Sequence, residues 1–183
     1  MKPILETKRL VLREVTPADV DDMLRLHSNS LVQQYTGEST VRSKEDMLRA
    51  ISERVNLYEK VGYGRWPTFL KDGMQFIGWA GLAYLPEFDE IDLGYRFLPE
   101  YWGMGYATEA SEAILKYGFG KLDLERIIAI AMKENKASIR VMEKVGMAFD
   151  KFARYDPGGE DVAWYQCDKS WLSARAKSGE ERI

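Results

Sequence analysis

The sequence has 183 residues, a net charge of −3 and an isoelectric point near 5.4. This length fits one domain, and the acidic balance disfavours a nucleic-acid partner, because such binders usually carry a basic surface. A single cysteine, Cys167, excludes an internal disulfide, and with one histidine, His27, and no CxxC pair we expect no metal. No stretch approaches the roughly 18 apolar residues of a membrane span. The first residues lack an apolar leader, so we expect a cytoplasmic monomer or homodimer with no membrane partner.

The first half of the chain combines short strands with amphipathic helices. Residues 9–15 alternate charged and apolar side chains, as a strand does. Thr16, followed by a proline, has the pattern of a helix cap, and Ser43 begins a second helix that ends at Gly62. Three strands are then predicted, the first two joined by an Asp-Gly turn, over residues 64–70, 75–85 and 90–98.

The second half is organised around residues 101–110, where two glycines separate an apolar strand from a helical pattern. The helix is predicted over 108–119, with Gly118 and Gly120 closing it. The elements predicted after it are a buried strand over 126–131, a helix from Asn135 to Val145, and two strands over 147–155 and 162–171. The polar tail from Ser173 is expected to fray.

This order of elements predicts a mixed α/β protein. Antiparallel hairpins come first and a β-α-β crossover follows. We therefore expect a mixed, mostly antiparallel central sheet with helices on both faces, in a single domain over residues 1–183.

The turn around Gly103 and Gly105 is the strongest chemical signal in the sequence. A strand, a glycine turn and a helix start place unpaired backbone N–H groups where a phosphate could bind. A nicotinamide-binding fingerprint would need a third glycine where Thr108 stands, and the Gly-Lys-Ser/Thr of a P-loop is absent. A glycine turn that serves packing alone is the remaining alternative.

Four segments in order resemble the GNAT N-acetyltransferases, and most closely the branch that acetylates the N-termini of ribosomal proteins. These segments are residues 5–19, 93–110, 135–147 and 154–165. The resemblance covers roughly residues 5–172, and the GNAT fold that it implies agrees with the order of elements read from periodicity.

The resemblance implies that acetyl-CoA is the co-substrate and that its pyrophosphate lies on backbone N–H groups of the glycine turn. The turn residues implied in binding are Trp102, Gly103, Met104, Gly105, Tyr106, Ala107 and Thr108. The pantetheine arm would lie beside the strand that ends at Leu98, with a backbone N–H of Phe97 or Leu98 stabilising the thioester oxyanion. Asn135 resembles the side chain that contacts this arm.

Acetyl transfer to an amine needs a base and a proton donor. Glu90 and Asp92 are two residues apart on one strand, so both point to one face, and either could accept the proton of the amine. Asp92 is preferred because it lies nearer the strand centre. Many GNAT enzymes protonate the leaving thiolate with a tyrosine, but Met142 stands at the matching position. Ser138 resembles the serine that the ribosomal-protein branch has instead.

We therefore expect an enzyme that moves an acetyl group from acetyl-CoA to a primary amine, with a catalytically silent CoA-binding module as the alternative. The acceptor is a protein or peptide N-terminus, or a small-molecule amine. We expect it to contact residues 34–43 and the turn around Pro157, neither of which carries a recognisable motif.

Overall fold

The structure is a computed structural model that describes residues 3–37, 43–155, 159 and 161–177. Its elements are β1 (Leu5–Glu6), β2 (Leu10–Leu12), α1 (Val20–His27), α2 (Ser30–Gln33), α3 (Lys44–Val61), β3 (Arg65–Leu70), β4 (Phe76–Leu85), β5 (Glu90–Phe97), α4 (Tyr106–Gly120), β6 (Arg126–Met132), α5 (Lys136–Lys144), β7 (Ala148–Arg154), β8 (Asp161–Asp168) and α6 (Ser170–Lys177). None of the helices in these ranges combines the length and apolar character that crossing a membrane requires.

All eight strands form one sheet in the order β1-β2-β3-β4-β5-β6-β8-β7. Every neighbouring pair is antiparallel except β5 and β6, which run parallel and are connected through α4. A parallel pair needs such a crossover, because a tight turn can only reverse the chain. The predicted mixed, mostly antiparallel sheet is confirmed.

Helices cover both faces of the sheet, as predicted. Trp66 packs edge-on against Tyr117 of α4, with ring centroids 5.6 Å apart. Trp66 pairs with Ala80 in the sheet, so Trp79, one residue earlier, points to the opposite face. There the guanidinium of Arg54, from α3, lies 5.9 Å from the centroid of the Trp79 ring. We call these two surfaces the α4 face and the α3 face.

The predicted caps form with ordinary hydrogen bonds. Ser43 Oγ accepts the backbone N–H of Asp46 at 3.0 Å, and Gly62 ends α3 in the left-handed region at φ +76°. Thr16 donates from both its backbone N–H and its hydroxyl to Asp19, at 2.8 and 3.0 Å, which holds a 3₁₀ turn in front of α1.

Several predicted boundaries differ from the structure. The strand predicted over 9–15 is only Leu10–Leu12, and α4 begins at Tyr106 and not at Thr108. Gly118 lies inside α4, where an added Cβ would be 2.7 Å from Ile127 Cδ1; the helix continues to Gly120. The last strand ends at Asp168, whose carboxylate accepts the N–H of Ser170 at 2.8 Å and begins α6. Residues 173–177 are therefore helical and not frayed, whereas residues 178–183 lie outside the described residues.

Gly78 fixes the spacing of β4 and β5, and its replacement should be costly. At φ +149°, a Cβ on Gly78 would lie 2.0 Å from Arg96 O and 2.7 Å from Phe97 Cα, which are backbone atoms of the paired strand. We expect Gly78→Ala to lower the free energy of unfolding in urea by about 3 kcal/mol through overpacking. Gly120→Ala is the control, because its Cβ would meet nothing within 4 Å. Equal stability of the two variants would contradict this account.

Candidate active site

A cleft of about 1080 Å³ opens where β5 and β6 part. The two strands are in register at Asp92 and Ile128. Beyond this contact, residues 93–97 of β5 and 129–132 of β6 line opposite walls of the cleft. The cleft also reaches the glycine turn before α4 and the first turns of α5.

The glycine turn has the backbone that the sequence predicts. Gly103 and Gly105 have φ of +76° and +82°, in the left-handed region that other residues avoid. Gly105 is the N-cap of α4, and the first hydrogen bond within the helix runs from Glu109 N to Gly105 O. The N–H groups of residues 106–108 therefore have no acceptor within the helix, and they form the positive end of its dipole.

A polar brace from the N-terminal strands holds this turn. Glu109 accepts hydrogen bonds from the Thr7 hydroxyl at 2.6 Å and from the Arg9 backbone and Nε at 2.8 and 2.6 Å. Arg9 also donates to Met104 O at 3.0 Å and lies over the ring of Tyr106. Burial disfavours the charged form of Glu109, but the bonds from Thr7 and Arg9 outweigh it, so the pKa of this carboxyl is lowered.

The edge of β5 that faces the cleft offers backbone groups. Leu98 N–H donates to Ile77 O at 2.9 Å, which leaves it unavailable to a ligand and rules out Leu98 as the predicted oxyanion donor. Bonding directions alternate along an antiparallel pair, so the N–H and C=O of Phe97 point away from β4. Consistent with this, Trp102 Nε1 donates to Phe97 O at 2.6 Å.

On the α4 face, the cleft contains a pair of hydroxyl groups. Tyr95 and Ser138 place their hydroxyl oxygens 2.8 Å apart, and either can donate. Asn135 caps α5 by accepting the N–H of Ser138 at 3.1 Å. Burial raises the pKa of Tyr95, although its hydrogen bond with Ser138 acts in the other direction.

On the α3 face, the cleft contains a buried ion pair. Asp92 accepts from Arg65 Nη2 at 2.8 Å, and only 9% of the Asp92 side chain is exposed. Burial raises the pKa of Asp92, while Arg65 and the backbone N–H of Ile130 favour the charged form. Gly94 makes room for this arrangement, because a Cβ there would lie 3.2 Å from the Arg65 guanidinium.

The structure brings most of the predicted site residues together. The predicted residues that line the cleft are Asp92, Phe97, Trp102, Gly103, Gly105, Ala107, Thr108, Asn135 and Ser138. Met104 and Tyr106 instead contact Arg9 behind the turn, and Leu98 is buried in the core. Glu90, the other predicted base, forms an ion pair with Arg126 at 3.3 Å and is not among the residues lining the cleft.

Sequence reasoning missed three side chains of the site: Tyr95, Arg65 and Arg9. Tyr95 and Arg9 lie within the segments that carry the family resemblance, but their partners are distant in sequence. Within the predicted acceptor segment, residues 34–43, Tyr35, Thr36 and Gly37 line the cleft. Residues 38–42 and 156–158 lie outside the described residues, so the predicted turn around Pro157 has no structural description.

The fold, the glycine turn and the split between two parallel strands together define an acyl-CoA-dependent transferase of the GNAT type. The family model described as Acetyltransferase (GNAT) domain matches residues 9–148, and the chain belongs to this family. It is therefore a GNAT-family N-acetyltransferase, and this family uses acetyl-CoA. The assignment leaves the nicotinamide hypothesis without support.

Individual relatives agree with this assignment. The uncharacterized N-acetyltransferase YoaA of Bacillus subtilis is 35% identical over 147 residues, which are 80% of this chain and 83% of that protein. A GNAT acetyltransferase structure from Bacillus anthracis has a TM-score of 0.78 and 29% identity, covering 91% of this chain and 98% of its own. The ribosomal-protein acetyltransferase RimL, in complex with coenzyme A, shares the fold at TM-score 0.78 and 20% identity, with coverages of 91% and 98%.

From the contacts of Glu109 with Thr7 and Arg9, we predict a pH-dependent contribution to stability. A carboxyl whose pKa is lowered in the folded state stabilises the protein above its unfolded pKa, and this contribution is lost as pH falls through the folded pKa. We expect Glu109→Gln to lower the free energy of unfolding at neutral pH by about 1 kcal/mol, since Arg9 is partly exposed. The difference from wild type should shrink below the ordinary carboxyl pKa of 4.5.

The control is Glu100→Gln, which removes an exposed carboxylate 3.3 Å from Arg25. Such surface pairs contribute little, so this variant should match wild type in urea titrations at each pH. A difference for Glu109→Gln that stays constant down to acid pH would contradict the role given to its charge.

Proposed function

We propose that this protein transfers the acetyl group of acetyl-CoA directly to a primary amine, with Asp92 as the base and Ser138 as the proton donor. The observation that carries this proposal is the meeting of three features in one cleft. These are the glycine turn, the unpaired edge of β5 and a buried carboxylate. Each corresponds to one requirement of the reaction: holding the donor, orienting it and deprotonating the acceptor.

The glycine turn is suited to the pyrophosphate of CoA. Backbone N–H groups at a helix N-terminus bind phosphate without side chains, and the positive end of the helix dipole adds to the attraction. Gly103, Gly105 and Ala107 keep the surface clear for an approaching phosphate. The residues present therefore fit the group that the family uses.

The edge of β5 is suited to the pantetheine arm. This arm carries amide groups that can pair with an exposed strand edge as an added strand would. Phe97 offers an N–H on this edge that could donate to the thioester oxygen, and Asn135 lies across the cleft from it. Acetyl-CoA supplies an acetyl thioester, whose carbonyl carbon is the electrophile.

Asp92 is the carboxylate best placed to deprotonate the amine. An amine with a pKa of about 10.4 costs roughly 4–5 kcal/mol to neutralise near pH 7, so a base within the cleft is needed. Burial makes Asp92 more basic than an exposed aspartate, and Arg65 fixes its orientation. The C–N bond then forms as the C–S bond breaks, and the amine proton passes to Asp92 directly or through water.

The leaving thiolate needs a proton, which Ser138 is placed to give. Its hydroxyl contacts that of Tyr95, so serine can take a proton from the tyrosine as it gives its own to the sulfur, and the tyrosine regains a proton from solvent after the products leave. Many GNAT enzymes have the proton-donating tyrosine at the position of Met142, which is buried in the core here. In this protein Tyr95 of β5 would supply the tyrosine hydroxyl instead.

The proposal is tested by incubating the protein with acetyl-CoA and a panel of primary amines, including peptide N-termini, while following free thiol. Thiol release that depends on the amine supports the proposal. Binding of CoA without thiol release across the panel would favour the catalytically silent module.

Replacing the base should abolish most of the activity. We expect Asp92→Asn to lower kcat by about 100- to 10,000-fold, the usual contribution of a positioned base. Glu90→Gln removes a carboxylate two residues away on the same strand and should stay near wild type, because Glu90 pairs with Arg126 outside the cleft. The reverse outcome would assign the base to Glu90.

The two hydroxyl groups should act as one unit. We expect Ser138→Ala and Tyr95→Phe each to lower kcat by about tenfold or more with little change in the KM for acetyl-CoA, and the double variant to be no slower than the slower single one. Ser111→Ala is the control, because this serine is buried in α4 away from the cleft. Losses that multiply in the double variant would show that the two hydroxyls act independently.

A further inference from the structure

The acceptor side of the cleft is the α3 face of the sheet. Tyr95 pairs with Ala80 and thus lies on the α4 face, together with Ser138. Asp92 pairs with Ala83 and faces the opposite way. With the donor on the α4 side, as the proposed function requires, the acceptor must reach Asp92 from the α3 side.

Apolar side chains of β6 begin directly beside Asp92. A Cβ added to Gly118 of α4 would lie 2.7 Å from Ile127 Cδ1, so Ile127 points to the α4 face. Ile130 and Met132 lie an odd number of positions further along β6 and therefore point to the α3 face. The backbone N–H of Ile130 donates to the Asp92 carboxylate. The apolar surface thus starts one hydrogen bond away from the proposed base.

This surface continues onto the neighbouring strands. Val162 of β8 pairs with Met132 and lies on the same face. In the same apolar cluster, the ring of Phe88 packs on that of Trp164, with centroids 4.8 Å apart, and on that of Tyr155 at 5.3 Å. These contacts hold the surface in place before any ligand arrives. We call the members that line the cleft the apolar wall, which consists of Ile130, Met132, Val162 and Tyr155.

The α2 region adds further apolar surface to the cleft. Leu31 and Val32 of this helix line the cleft, and Tyr35 follows them just after the helix ends. Leu31 is 54% exposed, and Tyr155 of the apolar wall is 41% exposed. Large apolar side chains that are exposed within one cleft provide surface that a ligand can cover.

The charged groups on the α3 face are concentrated around Asp92. Of the described strand residues that line the cleft, the charged ones on this face are Asp92, Arg65 and Arg96. Asp92 and Arg65 pair with each other at 2.8 Å, and the guanidinium of Arg96 lies 5.2 Å from the centroid of the Trp79 ring. An acceptor nitrogen beside Asp92 therefore has its attached group next to the apolar wall.

From this arrangement we infer that the acceptor is a primary amine whose nitrogen carries an apolar group, alkyl or aromatic, which binds on the apolar wall. The inference rests on the proposed function and narrows its acceptor class. Burial of apolar surface is favourable and non-directional, so the wall selects for size and apolar character. An alkylamine and a peptide with an apolar N-terminal side chain share this chemistry.

The test compares primary amines that differ only in their apolar part. Linear alkylamines from ethylamine to hexylamine are assayed with acetyl-CoA, beside aminopentanol, which matches hexylamine in length but ends in a hydroxyl group. We expect kcat/KM to rise about threefold to fourfold for each methylene that becomes buried, which is about 0.8 kcal/mol converted to a ratio of rates. Hexylamine should exceed aminopentanol by about tenfold or more, because burying an unpaired hydroxyl is costly.

Rates that do not depend on chain length, or a preference for aminopentanol, would overturn the inference while leaving amine acetylation intact. Spermidine is the polycationic competitor, since Glu134 and Asp161 also line the cleft beyond Met132. A preference for spermidine over hexylamine would assign the acceptor to these carboxylates and overturn the inference as well.

Peptides separate the two sources of an apolar amine. Short peptides that begin with leucine are compared with the same peptides beginning with serine. Faster transfer to the leucine peptides than to any alkylamine supports an apolar N-terminus as the acceptor, and the reverse order supports a small amine. Equal rates for leucine and serine peptides, together with equal rates for hexylamine and aminopentanol, would exclude both.

Two variants locate the apolar group. Leu31→Asn introduces a polar side chain of similar size, and Val162→Thr keeps the shape of valine and adds a hydroxyl. Each should reduce the preference for hexylamine over aminopentanol by about threefold or more. Leu57→Asn is the matched control, because this leucine of α3 is 45% exposed and is not among the residues lining the cleft. A preference that survives both Leu31→Asn and Val162→Thr would contradict the assigned surface.

Binding calorimetry in the presence of CoA separates this inference from the proposed function. If no amine releases thiol, the proposed transfer fails. Calorimetry then still decides the inference, because hexylamine should bind more tightly than aminopentanol to wild type, with a negative change in heat capacity, and by a smaller factor to Val162→Thr. Equal affinities of the two amines for wild type would overturn it.

Discussion

The parallel contact between β5 and β6 is the constraint on which the site depends. Five strands on one side and three on the other are antiparallel, and the two groups meet at the register of Asp92 with Ile128. The crossover through α4 that creates this contact also brings the glycine turn to the end of β5. One topological feature thus produces both an exposed strand edge and, beside it, a helix N-terminus.

An unpaired strand edge is ordinarily a hazard, because it can pair with another chain. Here the edge of β5 lies inside a cleft whose other wall is β6, so only a slender ligand can reach it. The split also connects the two faces of the sheet. The hydroxyl pair on the α4 face and the ion pair on the α3 face lie on alternate residues of β5, so donor and acceptor chemistry meet across a single strand.

Local signals in the sequence predicted local structure well. Ser43 caps its helix as expected, and the helix predicted to begin at Asn135 has this residue as its N-cap, because a cap depends on residues only three positions apart. The preference for Asp92 over Glu90 rested only on its position in the strand, since both point to one face and the register with β6 determines which one reaches the cleft. Tyr95 was missed because its partner lies 43 positions away, on a helix whose packing no periodicity reveals.

The surroundings of Asp92 act on its pKa in opposite directions. Arg65 stabilises the charged form of Asp92 and so weakens it as a base, in opposition to burial. An acceptor amine that fills the cleft would exclude water from around Asp92 and so add to the effect of burial. The exclusion of water raises the pKa of Asp92 when the amine arrives. Arg65 would then hold Asp92 ionised before binding, and the arrival of the acceptor would make this carboxylate more basic, which couples binding of the acceptor to its deprotonation.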